Sequence, residues 1–438
     1  MKRLVAVGLV CLTAGSAVAA EAPRYVDETE SAGIDSRYTG DFAFMAGAGV
    51  AAFDCSGDGL PELYFAGGEG KAKLYVNRSG AGASLMFSLA EGSGLDIASV
   101  TGAYPLDIDG DGNVDLALLR VGENRLMRGL GNCRFERANE AWGFDGGNAW
   151  TTAFSATWER GKAWPTLAFG NFMVPDTVIM GYGECDANVL YRPKAGGGYG
   201  RKEFLKPGHC ALSMLFSDWN RDGEPNLRIS NDKEFYTRGE EQLYRLTAEG
   251  AQAYTRADGW NPVNIWGMGI ASHDVTGDGF PDYYLTNMTD NRFEVLASGA
   301  GRPVYEDRAA ALGIAAGFPF IGGDTKPSTA WHAEFGDVNN DGLVDLLVVK
   351  GNVETVRFVA DVDPNNLLIQ QLDGRFVEGA EDADIVDFEL GRGGALVDLN
   401  ADGTLDLVVT NRFKAARLWR NLEQIRFNRG HILLRQSS

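Results

Sequence analysis

One nine-residue pattern recurs along the chain and constrains its fold more than any other feature. The pattern is D-x-[DNST]-x-D-G-x-x-[DEN]. Its six copies begin at Asp54, Asp107, Asp218, Asp274, Asp337 and Asp398. Four of the five steps between successive copies measure 53 to 63 residues, and the step from 107 to 218 measures 111, about two repeats. Self-similarity at this period is typical of propellers and solenoids, which divide a long chain among many small cores.

The long step predicts a seventh, degenerate copy. In the segment WERGKAWPTLAFGN, the run Leu167-Ala168-Phe169 aligns with Leu116-Ala117-Leu118 of the second repeat. The residues at pattern positions 1, 3, 5 and 9 are then Trp158, Arg160, Lys162 and Thr166. Because two of these side chains are cations, we expect this copy to bind no metal. We number the loops 1 to 7 in chain order, the degenerate copy being loop 3.

The flanks of each loop are typical of β-strands. A Gly-rich apolar run precedes the loop, as in RGGALVD, and a β-branched or aromatic run follows it, as in DYYLT and DLLVV. Two further strand-like runs complete each repeat, and four short strands per unit is the pattern of a propeller blade. The sequence therefore predicts an all-β fold, a seven-bladed β-propeller over residues 21–425.

The N-terminal segment is predicted to complete the last blade. YVDETESAGI resembles the last strand of a repeat, whereas the final repeat supplies only ALVDL, LDLVVT and RLWRN. We therefore expect residues 21–34 to pair with the strand at 417–421. Such a closure leaves no open sheet edge between the first and last blades.

The loops have the composition of calcium sites. Positions 1, 3, 5 and 9 carry oxygen-bearing side chains, position 6 is a Gly that permits a sharp turn, and position 7 offers a backbone carbonyl. An EF-hand would need Glu at position 12 and flanking helices, but position 12 is apolar in every copy. One copy alone would also fit a plain turn. Six in register favour metal binding.

The sequence predicts up to six Ca²⁺ ions, with loop 4 the weakest site because Asn226 replaces the last acid. The predicted ligands, four per loop, are Asp54, Ser56, Asp58 and Glu62; Asp107, Asp109, Asp111 and Asp115; Asp218, Asn220, Asp222 and Asn226; Asp274, Thr276, Asp278 and Asp282; Asp337, Asn339, Asp341 and Asp345; and Asp398, Asn400, Asp402 and Asp406.

The net charge of −20 argues against nucleic acid and anionic membranes as partners. The predicted ligand positions hold 18 of the 60 acidic residues, so bound calcium would account for much of this charge.

Residues 1–20 are predicted to be a signal peptide, with a basic start at Lys2 and Arg3, a short apolar run and small residues for cleavage. A secreted, periplasmic or extracellular location follows, and no later stretch is predicted to span a membrane. The four remaining cysteines permit two disulfides, of which Cys185–Cys210 is suggested because these two are nearest in sequence.

Three stretches resemble the cartilage acidic protein family, which is associated with an ASPIC/UnbV region. They are CDANVLYRP from Cys185, MGIASHDVTGDGFPDYYLTNM from Met268 and FGDVNNDGLVDLLVVKGNV from Phe335. The repeat unit also resembles the FG-GAP or VCBS repeat of integrin α-subunit propellers. The resemblance covers nearly all of the mature chain. It implies an extracellular or periplasmic seven-bladed propeller with structural calcium and no defined catalytic activity. Residues 426–438 are expected to be a short tail similar to the start of a truncated ASPIC/UnbV region.

The first functional hypothesis is a scaffold that binds a protein or a glycan. Four tryptophans near the predicted inner strands or blade-joining loops could stack on sugars, although packing between blades is the favoured interpretation: Trp150, Trp260, Trp266 and Trp331.

The alternative is an enzyme, a polysaccharide lyase or hydrolase with its site at the channel mouth. Its candidate residues are His273, His332, Asp324, Lys326 and Arg392. Neither G-x-S-x-G nor H-E-x-x-H occurs, and His273 directly precedes a predicted calcium ligand, which favours a structural role. A channel lined by histidines and acids would favour the enzyme, and an apolar lining the binding module.

Overall fold

A computed structural model describes residues 20–179, 183–232, 240–354 and 356–423. The predicted tail and all but the last residue of the predicted signal peptide lie outside these ranges. No helix within them is long and apolar enough to cross a membrane.

The described residues form 29 strands, one turn of α-helix and four short 3-10 turns. In chain order the strands are β1 Tyr25–Asp27, β2 Val50–Phe53, β3 Glu62–Phe65, β4 Gly68–Lys71, β5 Lys73–Asn77, β6 Phe87–Leu89, β7 Ala98–Leu106, β8 Asp115–Gly122, β9 Arg125–Gly129, β10 Phe135–Arg137, β11 Ala149–Thr157, β12 Thr166–Asn171, β13 Asn188–Tyr191, β14 Glu203–Leu205, β15 Ala211–Ser217, β16 Asn226–Asn231, β17 Gln242–Thr247, β18 Gly250–Ala253, β19 Ile270–His273, β20 Asp282–Leu285, β21 Arg292–Leu296, β22 Tyr305–Asp307, β23 Ala330–Gly336, β24 Asp345–Lys350, β25 Asn366–Gln370, β26 Phe376–Glu378, β27 Gly391–Val397, β28 Asp406–Asn411 and β29 Arg417–Asn421. The helical turns are Phe42–Phe44, Pro175–Thr177, Arg256–Asp258, Gly299–Gly301 and α1 Ala309–Leu312.

The strands pair antiparallel in units of four. Five separate sheets have the orders β2-β3-β5-β6, β15-β16-β17-β18, β19-β20-β21-β22, β23-β24-β25-β26 and β27-β28-β29-β1. The strands β7 to β10 and β11 to β14 repeat the same order within one nine-stranded sheet, where β11 pairs with β8 and β4 pairs with β7. Each copy of the loop pattern, including the degenerate one, therefore belongs to one four-stranded unit.

The first strands of the units surround a common centre. β2, β7, β11, β15, β19, β23 and β27 each contact the next strand in this order, and β27 contacts β2. The arrangement of the sheets is propeller-like, because the second, third and fourth strands of each unit follow outward from this ring.

The last sheet is completed by the N-terminal segment. β1 pairs antiparallel with β29, with Tyr25 opposite Asn421 and Asp27 opposite Trp419. Tyr25 is buried, and its hydroxyl donates a hydrogen bond to the Leu405 carbonyl at 3.0 Å. The predicted pairing of residues 21–34 with the last strands is therefore confirmed, with a strand of three residues.

The hydrophobic cores lie between neighbouring units. One of them joins Phe53 and Tyr64 of the first unit to Leu116 and Phe135 of the second. Burying apolar surface in this way stabilises the fold by about 25 cal/mol per Å². Because each face is covered only by the next sheet, every unit depends on its neighbours.

One further apolar cluster occupies the end of the ring where the first strands begin. It includes Trp150 at the start of β11, Trp331 at the start of β23 and Phe172 just after β12. The pattern loops follow the opposite ends of the first strands. The two ends of the ring therefore differ in chemistry, one apolar and one acidic.

Two disulfides are present, one spanning 25 residues and the other 78. The Cys185–Cys210 bond is present, as suggested from the sequence, and a second bond links Cys55 to Cys133. Since Cys55 is position 2 of loop 1 and Cys133 lies between β9 and β10, the second bond ties loop 1 to the neighbouring unit.

Removal of residues 21–34 is expected to leave β29 with an unpaired edge, which favours association with other chains. The truncated protein should melt at a lower temperature and elute as aggregates in size-exclusion chromatography. Arg24→Ala is the matched control, because it removes only an exposed ion pair with Asp384 from the same segment. A truncated protein that stays monomeric with an unchanged melting temperature would contradict the structural role of β1.

Candidate metal-binding loops

All seven loops occupy the same place, the hairpin between the first and second strands of a unit. The residue before position 1 is paired with the residue at position 9 in every case. The pairs are Phe53–Glu62, Leu106–Asp115, Thr157–Thr166, Ser217–Asn226, His273–Asp282, Gly336–Asp345 and Val397–Asp406. This common register confirms the alignment of the degenerate copy.

The position-1 carboxylate organises each complete loop. It accepts a hydrogen bond from the backbone N–H of the position-6 Gly at 2.8–3.0 Å in all six. That Gly has a φ of 83–90°, a conformation that strains other residues. Ala163 stands at this position in loop 3. Glycine at position 6 is thus required by the turn that brings the backbone round to the first Asp.

The position-5 carboxylate holds the next residue. One of its oxygens accepts the N–H of position 7 at 2.8–2.9 Å in all six complete loops. The backbone N–H groups of each loop therefore donate to the loop's own carboxylates and fix its shape. Each carboxylate has further lone pairs that could bind a cation.

The position-9 side chains are buried in all six complete loops. Asp345 accepts the N–H of Val338 at 3.0 Å and that of Gln370, at the end of β25, at 2.9 Å. Asp115 and Asp406 make the equivalent pairs of bonds. The position-9 acid thus joins its loop to the end of the third strand.

Burial raises the pKa of these position-9 acids. The pKa rises to about 6 for Asp115 and Asp282 and to about 7 for Asp345 and Asp406. Desolvation is the main cause, and the negative charges at other loop positions add to it. Without a cation nearby, these carboxyls therefore ionise at a higher pH in the fold than in the unfolded chain.

Several ligand-position oxygens are buried and lack a donor. Among the described residues, Glu62 Oε1, Asp282 Oδ1, Asn220 Oδ1 and Asn400 Oδ1 have no hydrogen-bond partner. Leaving such an atom unsatisfied costs about 1–3 kcal/mol, so each points to a missing electropositive partner. The carboxylate oxygens of Asp54, Asp58 and Glu62 lie within 4.8 Å of one another, as do those of Asp107, Asp109 and Asp111. Such oxygen sets fit a hard divalent cation.

An arginine side chain from a neighbouring strand contacts the acids of loop 2, and the sequence analysis did not predict it. Arg128, on β9, contacts Asp109 at 3.0 Å and Asp111 at 2.8 Å. A metal at loop 2 would compete with this guanidinium for the two acids. The only signal in the sequence was a basic residue near the end of the third strand, in the run RLMRG.

Loop 4 departs from the other complete loops at its last positions. The Asn226 amide group donates to the Glu224 carbonyl at 2.9 Å, and its oxygen accepts from the Tyr254 hydroxyl at 2.9 Å. The oxygens of positions 7 and 9 are therefore already engaged. Loop 3 also contacts loop 4, because Arg160 forms an ion pair with Glu224 at 2.9 Å.

The residues proposed for catalysis lie in different environments. His273 is exposed, and His332 lies 3.6 Å from Glu334 on β23. Asp324 and Lys326 belong to an exposed network with Asp361. Arg392 is buried, lies 4.2 Å from the Trp331 ring and donates to backbone carbonyls such as those of Met45 and Asn352.

The tryptophans proposed for sugar stacking pack in the interior. Trp150, Trp260 and Trp331 are buried in hydrophobic clusters, and Trp266 packs partly buried against the apolar end of the ring. Their packing agrees with the interpretation favoured from the sequence.

Residues 54–118 match the model of the FG-GAP-like repeat. The match begins at position 1 of loop 1 and ends in β8, three residues after loop 2. No curated protein matches the chain. The solved structures that share its fold include two of BBS1N in complex with ARL6DN, one crystal soaked with lead and the other with mercury. The first has a TM-score of 0.52 at 10% identity, covering 92% of this chain and 98% of the other. The second has a TM-score of 0.51 at 12% identity, covering 94% and 98%.

The raised pKa values predict how the metal-free protein responds to pH. A raised pKa in the fold means that stabilisation is present below the unfolded pKa of about 4 and is lost as pH rises through about 6–7. In chelator, the melting temperature of Asp345→Asn/Asp406→Asn should therefore fall less than that of wild type between about pH 5 and about pH 8. Thermal melts over a pH series measure the two slopes. Equal slopes would show that these two carboxyls do not titrate in this range.

Proposed function

We propose that this protein is an exported seven-bladed β-propeller that binds calcium in its blade loops and recognises a protein or a glycan. The observation that carries the calcium proposal is the set of buried, donor-free oxygens at ligand positions in loops that share one register. Calcium would supply the positive charge that these oxygens lack and would favour the ionised form of the buried position-9 acids. Up to six ions would fit, with loop 4 the weakest site.

The binding role is supported by the fold and by the apolar cluster. The FG-GAP-like repeat and the propeller-like fold fit a protein-binding scaffold, and BBS1N, which shares the fold, forms a complex with ARL6DN. An apolar cluster lies at one end of the ring, and the catalytic candidates occupy separate environments among the described residues. These observations favour recognition at the surface over chemistry in a channel.

Export is supported by the cysteines. Two disulfides join four cysteines, and such bonds persist in oxidising compartments. The proposed location is outside the cytoplasm, secreted, periplasmic or extracellular, with the basic-apolar N-terminus as the signal for it.

Calcium should stabilise the fold and leave on chelation. A ligand that binds only the folded state adds about 2.7 kcal/mol per site at a hundredfold excess over Kd, and extracellular calcium modules typically have Kd values of about 10⁻⁴–10⁻³ M. Chelation should therefore lower the melting temperature. Asp58→Ala should reduce the calcium bound per chain by one ion, because Asp58 converges with Asp54 and Glu62 in loop 1.

Lys162→Ala is the matched control, because it changes the equivalent position of loop 3, which has no acid at any of its four ligand positions. Metal analysis after dialysis in calcium, with thermal melts, compares the three proteins. If wild type and Asp58→Ala bound equal amounts of calcium and the chelator did not change the melting temperature, the loops would be plain turns that bind no metal. The binding role is tested on a glycan array and by purified-partner binding, each with and without calcium.

A further inference from the structure

One position on the third strand of each unit differs in charge from unit to unit. The residue after loop position 9 pairs with the third strand in every unit, so the next third-strand residue toward the loop stands opposite position 9, as Arg245 does opposite Asn226. We call it the flank position. In unit order, its residues are Val76, Arg128, Arg192, Arg245, Val295, Ile369 and Arg420. Four loops therefore have an arginine at the flank position, and loops 1, 5 and 6 have an aliphatic side chain.

At loop 2 this arginine contacts the acids that calcium would use. The Arg128 side chain lies 3.0 Å from the Asp109 carboxylate and 2.8 Å from that of Asp111, at ligand positions 3 and 5. Those two carboxylates converge with that of Asp107 in one oxygen set. The arginine side chain is 40% exposed, so it can move into solvent without opening the core. Arg128 therefore neutralises loop 2 from a position that it can leave.

Loop 3 shows that a flank arginine can balance the charge of a loop without a metal. Arg192 lies 3.0 Å from Glu159, which occupies position 2 of that loop. Glu159 also accepts a hydrogen bond from the Thr166 hydroxyl at position 9. This hairpin thus contains its own cation, and none of its four ligand positions carries an acid.

The two remaining flank arginines are paired away from their loops. Arg245 forms an ion pair at 2.7 Å with Asp258, which follows β18. Arg420 forms an ion pair at 2.9 Å with Glu28, which follows β1. Among the ion pairs of the described residues, only those of Arg128 reach an acid at a ligand position. Loop 2 is thus the complete loop whose ligand acids already have a cation.

We propose that Arg128 competes with calcium at loop 2, so that loops 1, 5, 6 and 7 take up calcium before loop 2 does. The inference rests on the calcium binding proposed above and adds how that binding is ordered. The number of acids alone would make loop 2, with four, the tightest site. A calcium ion there must displace the guanidinium, because two cations at the same carboxylates repel each other. Loop 2 therefore fills at a higher calcium concentration.

The test is equilibrium dialysis of the full metal-free protein against calcium, comparing wild type with Arg128→Met. Asp107→Ala is introduced into each, and the difference between the paired isotherms gives the calcium bound at loop 2. The calcium concentration that half-fills loop 2 should be about three- to tenfold lower in Arg128→Met, because two exposed ion pairs no longer compete with the metal. In wild type, loop 2 should half-fill at a higher concentration than the main phase of the Asp107→Ala isotherm.

Thermal melts provide a second measurement. In chelator, Arg128→Met should melt at a lower temperature than wild type, because the acids of loop 2 then repel one another. In saturating calcium this difference should shrink or reverse. An arginine with only a packing role would lower the melting temperature equally in both conditions.

Arg137→Met is the matched control, because it removes an exposed arginine of the same unit that pairs with Glu123 and not with the loop. It should leave the half-filling concentration of loop 2 unchanged. An equal shift in Arg137→Met would assign the effect to net charge and overturn the inference. An unchanged value in Arg128→Met, or a wild-type loop 2 that fills together with the other loops, would overturn it and leave the calcium proposal intact. If no variant bound calcium, both proposals would be wrong.

Discussion

The hydrogen bonds of the loop carboxylates to backbone N–H groups are the interactions on which the units depend. The position-1 Asp holds the turn at the position-6 Gly, and position-9 acids such as Asp345 and Asp406 join the loop to the last residue of the third strand. Three strands of one unit are thereby fixed around one hairpin. The same bonds place acids close together in a small volume, so the arrangement that shapes the strands also generates the charge that a cation would neutralise.

The packing of the units follows from this local order. Each sheet has two faces to cover, and the hydrophobic clusters lie between adjacent units rather than within one. The ring closes where β27 contacts β2, and β1 from the N-terminal segment supplies the fourth strand of the last sheet. Stability is therefore shared around the ring, and an edge opened at any unit would expose the core beside it.

Three arginines occupy three different environments in this structure. Arg128 is placed across two acids of loop 2, and Arg160 of the degenerate loop contacts loop 4. Arg228 is fully buried with Glu241 and Glu294 and is surrounded by the rings of Trp260, Tyr283 and Tyr305. Breaking such a buried set by removing one partner typically costs about 3–5 kcal/mol. Positive charge in this chain thus has a structural role, because each of these arginines joins acids of different strands or loops.

The sequence alone determined the features that repeat. The spacing of the Asp-rich pattern located the hairpins, aligned the degenerate copy at Thr166 and indicated that the N-terminal segment pairs with the final strands, because strand period and turn chemistry are local properties. Tertiary structure decided the side-chain contacts between strands: Arg128 of β9 at the acids of loop 2, and Arg228 of β16 with Glu294 of the next unit. These contacts bring together residues whose separation follows no period, and such contacts leave no pattern in a single sequence.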